Sequence, residues 1–482
     1  MTALTTPAPH PIAPTVPTRQ RRTQSILAGM FLLLCCGGLL SGVWLARFHH
    51  DESQWIYTTR FLALFEQGAT SAPEWDSYWL HTQPPVARYL LGVPLQLAGY
   101  DLLHLNGPWD TSLTFAQNGA QGNMPSPSQL SLARLGSALA ACGAVLLLFG
   151  LGRQAGGWVA GLGAAGWLAG NFYARELLTR ATGDGLLLTL LLLTLALTVP
   201  LVAALAAATD PSAPPRTWRR VAGLTLAVGA VIGLATATKL TAVFVLPALA
   251  LALPLDAGVR WAGSAGRAAA GRVLRRRVAA AAAVALGATA VALGVFVAVN
   301  PALWPQPVAR SIALFTFRQE EMAQQMVAFP EVAIPAGPRR FQLALTRPLF
   351  LYSFGASLGQ MVGGDAGGAA GARLPLDAVL VALGVLTALG TRLPRRRRTA
   401  AAPLPPPEPT DRPAPGLGVV GCVAVWTLVL YGGIALTIGM DWDRYYLPIM
   451  GLAAFWAGCG LAWLGAHVGR RLAQTAQNAP RA

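Results

Sequence analysis

Charged residues are scarce in this chain, so those at the ends of apolar segments are the ones to ask for chemistry. Asp51 and Glu52 follow an apolar run, inside His49-His50-Asp51-Glu52-Ser53-Gln54-Trp55. Asp184 opens a later run, Lys239 separates two more, and Asp443-Arg444-Tyr445 precedes the last. An ionised group near membrane depth is costly unless it is paired or faces water, which makes each of these a functional candidate. The chemistry such a set offers is proton abstraction by a carboxylate within hydrogen-bond reach of a nucleophile, with cations fixed where negative charge develops. Each residue also has a plain structural role open to it. Asp51 and Glu52 could cap a helix lying on the membrane surface, and Asp184 could be a helix N-cap. Lys239 could snorkel to the interface, and Asp443 and Arg444 could form a surface ion pair. The spacing of His49, His50 and His81 carries no metal signature.

These residues have to be positioned by membrane helices. The chain has 482 residues, of which 54% are hydrophobic and 12% charged, against about a quarter charged in soluble domains. About ten runs approach the roughly 17–25 residues that cross the hydrocarbon as helix. The fold class expected is therefore an all-α integral membrane protein of about ten transmembrane helices, with amphipathic helices at the outer membrane surface. The net charge of +16 does not point to nucleic acid, because the basic residues fall in short loops between apolar runs. All but one of the 36 basic residues are arginine, so Lys239 stands alone. The five cysteines sit inside apolar runs without zinc-type spacing and read as small hydrophobes.

Taken in order, residues 1–24 are a disordered cytoplasmic tail rich in Pro and Thr, ending in arginines that hold the N-terminus inside. A membrane-embedded region follows over 25–466, beginning with an uncleaved span at 26–45. The outer segment 48–130 carries two amphipathic patterns. One runs through Trp55, Ile56, Thr59, Leu62, Ala63 and Glu66; the other follows Pro84-Pro85 through Val86, Tyr89, Leu90, Val93 and Leu97. Spans are expected at about 131–151, 157–173, 182–206, 221–238, 240–255 and 278–298, with G-x-x-x-G spacings at Gly157 to Gly161 and Gly229 to Gly233 that permit close helix contact. A second outer segment covers 300–373, in which Phe341–Gln360 is interfacial or re-entrant. A span at 374–391, a cytoplasmic Pro- and Arg-rich linker at 393–416, spans at 417–438 and 445–466 and a cytoplasmic tail at 467–482 complete the chain. The segments so assigned to the cytoplasm hold 22 arginines and four acids, and the remainder holds 14 basic residues and 16 acids. That asymmetry is what the positive-inside rule demands.

In this order and placement the landmarks resemble the membrane-embedded GT-C glycosyltransferases, in particular relatives of dolichyl-phosphate-mannose–protein mannosyltransferases and of bacterial aminoarabinose transferases. The resemblance covers about residues 25–465. It is carried by Asp51-Glu52 after the first span, Gln83-Pro84-Pro85 before a juxtamembrane helix, Asp184 opening a span, Gly233 to Lys239, Asn300-Pro301 with Trp304-Pro305, and Asp443 to Pro448. Where relatives often have lysine or histidine before the Pro-Pro, this chain has Gln83.

The resemblance implies a polyprenyl-phosphate-linked sugar as donor and a protein, lipid or glycan acceptor, joined by inverting transfer at the outer face of the plasma membrane. Asp51 is then the general base, with Glu52 and Asp184 as further catalytic carboxylates that orient the acceptor, assist the base or share a divalent cation. Lys239, Arg444 and Tyr445 would hold the donor phosphate, and His81, Gln83 and Trp55 would contact substrate. The resemblance fixes no cofactor beyond that divalent cation, and leaves open whether the reaction needs it. The competing expectation is a multi-pass transporter or flippase of lipid-linked sugars. Transporters commonly carry internal repeats and midplane charges, and neither is apparent here.

Overall fold

Apolar runs become helices here because, without water in the hydrocarbon, each backbone N–H and C=O must be satisfied within its own segment. The computed structural model describes residues 18–210, 212–262, 267–354, 376–390 and 416–478. Most of the expected N-terminal tail and of the 393–416 linker lies outside these residues, as do 355–375, including the end of the expected re-entrant stretch.

The first helix, α1 (Thr18–Leu45), begins within the segment expected to be tail. Short outer helices come next: α2 (His50–Tyr57), α3 (Arg60–Glu66), α4 (Tyr78–Thr82), α5 (Val86–Leu97) and α6 (Phe115–Ala120). The first amphipathic pattern is thus two helices rather than one. The Thr58 and Thr59 hydroxyls donate back to the carbonyls of Gln54 and Ile56 at the break, the local competition with helix that threonine offers. In α5 the face packed on protein is Ala87, Leu91 and Leu95, while Val93 and Leu97 of the expected face are exposed.

Helix α7 (Pro127–Gly170) is 44 residues long, about twice the length of a crossing. Gly156 and Gly157 leave helical geometry, Gly157 at φ 77°, where a residue with Cβ is disfavoured. The chain folds back on itself there. A Cβ at Gly161 would lie 2.7 Å from the Phe149 carbonyl oxygen, and the Arg153 guanidinium sits 4.4 Å above the Trp158 ring. The two spans expected at 131–151 and 157–173 are the arms of this hairpin.

After α8 (Phe172–Thr179) come α9 (Asp184–Ala208), α10 (Pro215–Thr236), α11 (Val245–Ala262) and α12 (Arg267–Ala298). The expected close contact at Gly229 and Gly233 is present. Each lets α10 reach the α12 backbone, and Cβ atoms there would lie 2.6 and 2.5 Å from the carbonyl oxygens of Ala288 and Ala292. In lipid, where apolar burial between helices gains little, such close backbone packing is a main source of association. Outside the bundle, α13 (Pro307–Ala328) and α14 (Pro338–Thr346) form the second outer segment. At nine residues α14 is too short to cross, and it packs on the later α16 (Gly418–Thr437). Helix α15 (Leu376–Gly390) precedes α16, and α17 (Leu447–Asn478) ends the described chain, continuing well into the segment expected to be a cytoplasmic tail.

Eight helices among the described residues are long and apolar enough to cross a membrane, with α7 counted once and the shorter α15 not counted. The chain is an all-α integral membrane protein. One isolated bridge, Ala333 to Met440, joins the second outer segment to the loop before α17. Cys35, Cys36, Cys142 and Cys459 are free thiols.

Candidate active site

The site begins at the start of α2, where sequence and capping fix Asp51. His49 is the N-cap: its Nδ1 accepts from the Asp51 N–H at 3.2 Å, and the Glu52 carboxylate accepts from the His49 N–H at 3.0 Å. The rest of the Glu52 carboxylate is spoken for. Arg134 donates from Nε and Nη2 at 2.7 Å each, and the Ala181 N–H donates at 2.8 Å. Arg134 spends its remaining donors on the carbonyls of Val43, Ala46 and Arg47 at the end of α1. Both residues are buried, Glu52 completely. The pair therefore ties α1, α2, α7 and the approach to α9 together. Glu52 does not face the cavity, and the expectation that it orients acceptor or binds metal does not fit a carboxylate whose acceptor positions are filled.

Asp51 is placed differently. One of its oxygens, Oδ2, pairs with Arg444, and the other, Oδ1, lies 3.3 Å from His50 Nε2. Burial alone would raise its pKa, but the Arg444 guanidinium and the neighbouring histidines outweigh burial and hold the carboxyl below the usual aspartate range. Burial opposes the charge on Arg444, and Asp51, Tyr445 and Asp184 reverse that, so the guanidinium titrates above its ordinary range. His49 is pushed down to about 4 by burial, against the pull of Asp51, and is neutral at physiological pH. Arg444 also lies 4.6 Å over the Trp442 ring, which is stacked on Tyr445 at 5.8 Å. Asp443, next in chain, is raised by burial despite Arg180 and Arg444.

Asp184 is the first residue of α9 rather than its N-cap, which is Gly183. Its carboxylate accepts from Lys239 Nζ at 2.6 Å and from the Thr182 hydroxyl at 2.9 Å. Lys239 lies at the turn between α10 and the 3-10 helix Leu240–Phe244, with its ammonium turned to Asp184 rather than out to the interface. A cavity of about 1200 Å³ gathers these groups: Asp51, Asp184, Lys239, Asp443, Arg444 and Tyr445 line it, as do Trp55 and Gln83. His81 does not. It packs against Phe317 of α13, ring centroids 5.4 Å apart.

Several cavity residues had no signal in the sequence reading. Arg180 stands beside Asp443 and donates to Glu176 at 2.6 Å, leaving its Nε without a partner. Arg88 is buried against the Trp55 ring at 5.2 Å and donates to the carbonyls of Gln83 and Trp79; burial lowers its pKa to about 9. Opposite, α13 presents Glu321, which accepts from Arg318, from Gln325 at 3.2 Å and from the Tyr78 hydroxyl at 2.9 Å. Burial and then Glu321 push the Tyr78 phenol up to about 12. Arg318 and Glu321 form an i, i+3 pair of the sort any surface helix carries, and only the fold turns it inward.

A cation shared by Glu52 and Asp184 does not fit, since Glu52 is saturated and Asp184 holds Lys239 and Thr182. Among the described residues, the imidazole and carboxylate atoms that do converge, within 4.8 Å, are those of His49, His50 and Asp51. In that group the His49 Nδ1 is engaged by a backbone N–H and Asp51 by Arg444.

No protein-family model and no curated protein matches the sequence. Among solved structures, the Archaeoglobus fulgidus oligosaccharyltransferase in its apo form aligns with 94% of this chain at a TM-score of 0.50 and 14% identity. ArnT from Cupriavidus metallidurans, bound to undecaprenyl phosphate, aligns with 96% at 0.47 and 14% identity. The S. cerevisiae protein O-mannosyltransferase Pmt1-Pmt2 complex, bound to its sugar donor, aligns with 58% at 0.37 and 17% identity. This chain spans 52%, 64% and 34% of those chains, respectively. The likeness to the oligosaccharyltransferase is one of fold: the chain has a GT-C-like arrangement of membrane helices.

Proposed function

We propose that the chain moves a hexose from a polyprenyl-phosphate donor to an acceptor hydroxyl at the outer face of the plasma membrane. The observation that supports this best is a cavity whose wall combines two unlike sets of side chains. Asp51, Asp184, Asp443, Arg180, Lys239 and Arg444 line it, and so do Leu187, Leu191, Val243, Phe244, Leu430 and Ile434 from α9, the turn before α11 and α16. A cavity lined by both sets suits a ligand with an anionic head and a hydrocarbon tail.

In this reading the donor phosphate lies among Arg444, Lys239 and Arg180, with Tyr445 on its edge. The acceptor oxygen attacks the anomeric carbon, the bond from that carbon to the phosphate oxygen breaks, and the phosphate keeps the electron pair. Asp51 takes the acceptor proton. The cations are preorganised where the leaving charge appears, and direct displacement inverts the anomeric centre, with no covalent glycosyl-enzyme. Asp184 holds Lys239 in place, and Gln83 and Trp55 contact substrate along the wall.

The test is transfer by the purified chain in liposomes supplied with radiolabelled polyprenyl-phosphate mannose and a mixed acceptor extract. The native chain labels an acceptor and Asp51→Asn does not. Equal labelling by both removes Asp51 from its role, and label that crosses the bilayer untransferred rejects the transferase reading in favour of a flippase.

A further inference from the structure

The two oxygens of Asp51 face different walls. Oδ2 points to Arg444 and the cationic side, whereas Oδ1 lies 3.3 Å from His50, whose ring is 6.2 Å from that of Trp109. Trp109 lines the cavity and is half-buried. Phe48 and Phe115 back it, with centroids 5.9 Å from its ring. The same cavity is also lined by His50, Thr111 and Gln54. An aromatic side chain in a cavity that also offers hydrogen-bonding groups matches a pyranose, which offers one face of C–H bonds and an edge of hydroxyls.

The loop that carries Trp109 is built to hold still relative to Asp51. Asn118, fully buried, receives the Asp110 N–H at 2.9 Å and donates to the carbonyls of Asp110 and Thr114 at 2.9 and 3.1 Å, cinching the turn after Trp109. The same loop is bound to α2 two residues beyond Asp51: Asn106 donates to the Ser53 carbonyl at 3.0 Å, and the Ser53 hydroxyl donates to the Asn123 carbonyl at 2.7 Å. Trp109 and Asp51 therefore share one rigid frame, as a preorganised subsite requires.

Resting on the transferase reading above, we propose that Trp109 is the platform for a pyranose of the acceptor, so that the acceptor is a glycan or glycoconjugate. The lipid phosphate would leave along the Arg444 side of Asp51. An in-line displacement brings the nucleophile from the other side, which is where His50 and Trp109 stand.

The experiment uses the full chain in detergent, with Trp109→Ala and Trp109→Phe, and saturation-transfer NMR against methyl pyranosides of gluco, galacto and manno configuration. A Ser/Thr hexapeptide is the comparison ligand, and acceptor-free hydrolysis of polyprenyl-phosphate mannose reads the donor site. At least one pyranoside should bind the native chain, weaken about tenfold in Trp109→Ala and be largely restored in Trp109→Phe. The inference is overturned if no pyranoside binds the native chain, if Trp109→Ala binds as the native chain does, or if the hexapeptide binds and no pyranoside displaces it. A rise in donor KM in hydrolysis as large as the loss of pyranoside affinity would assign the platform to the donor sugar and overturn the acceptor assignment. Trp109-dependent pyranoside binding in a chain that neither hydrolyses nor transfers any donor would uphold the platform and reject the transferase instead.

Discussion

Breaking the buried pair of Glu52 and Arg134 separates a structural from a chemical role for the second carboxylate of the Asp51-Glu52 doublet. Arg134→Met leaves the Glu52 charge fully buried with only the His49 and Ala181 N–H groups beside it, and strips hydrogen bonds from three carbonyls at the end of α1. Glu52→Leu leaves the Arg134 guanidinium charged in a site only 3% exposed, and orphans two N–H groups. Removing one partner of such a pair costs about 3–5 kcal/mol, most of it the stranded charge. The double variant strands no charge. It loses only the backbone hydrogen bonds, each worth about 1 kcal/mol, so its cost should fall short of the sum of the single costs by about 3 kcal/mol or more. The measurement is unfolding in mixed micelles of rising SDS content, followed by tryptophan fluorescence, for the native chain and the three variants. Additivity within about 0.5 kcal/mol would refute the reasoning, because it would mean that neither charge depends on the other. The isosteric Glu52→Gln completes the argument: lost transfer with unchanged stability would mean that Glu52 reaches substrate after all.

Two further outcomes follow from the same geometry. In Arg444→Gln the cation that holds the Asp51 carboxyl low is gone and burial is left to raise it. The native acid limb of kcat/KM for donor hydrolysis, which reports the donor-free enzyme, therefore lies below the ordinary aspartate value of about 3.9, where the stabilising pair is lost as pH falls, and the variant's limb lies at higher pH; an unmoved limb would contradict the pairing. Gly233→Val drives a branched side chain toward the Ala292 carbonyl, which lies 2.5 Å from where a Cβ would sit, whereas Gly294 has open space around it. Folded protein recovered from membranes should fall sharply for Gly233→Val, at about 1–3 kcal/mol or more for overpacking, and stay unchanged for Gly294→Ala; equal yields would deny that α10 and α12 pack through Gly233.

How much of this was legible in the sequence depends on the range over which each feature is decided. The spans were legible, since helix in a bilayer is decided within about twenty residues. The Gly229 to Gly233 spacing was legible for the same reason. So were Asp51 and Arg444 as candidates, because charge beside an apolar run is local information. Their partnership was not: Arg444 reaches Asp51 across 393 positions, and Arg134 reaches Glu52 across 82. Nothing in Asp51-Glu52 says which acid faces the cavity and which faces protein. One residue further along a helix turns a side chain by about 100°, and here that turn puts Asp51 in the chamber and Glu52 against Arg134. His81 failed for a similar reason, since its place against Phe317 depends on where α13 lies. Arg180, Arg88 and Glu321 were invisible because arginine is abundant here and an i, i+3 Arg–Glu pair is ordinary on any exposed helix.

The pairing of Asp51 with Arg444 bears on how the proposed reaction would be timed. A carboxylate held low by a guanidinium is a weak base, and a guanidinium committed to a carboxylate is half-spent as a phosphate ligand. Both defects would be relieved by one event. A donor phosphate among Lys239, Arg180 and Arg444 competes for the guanidinium. As Arg444 turns toward it, Asp51 loses its strongest counter-charge while remaining buried, and burial raises its affinity for a proton. Basicity would then rise only when donor is bound, with the acceptor hydroxyl on the Oδ1 side. In the proposed reaction the same pair in its resting form would keep Asp51 from promoting attack by water on a donor that is not yet seated.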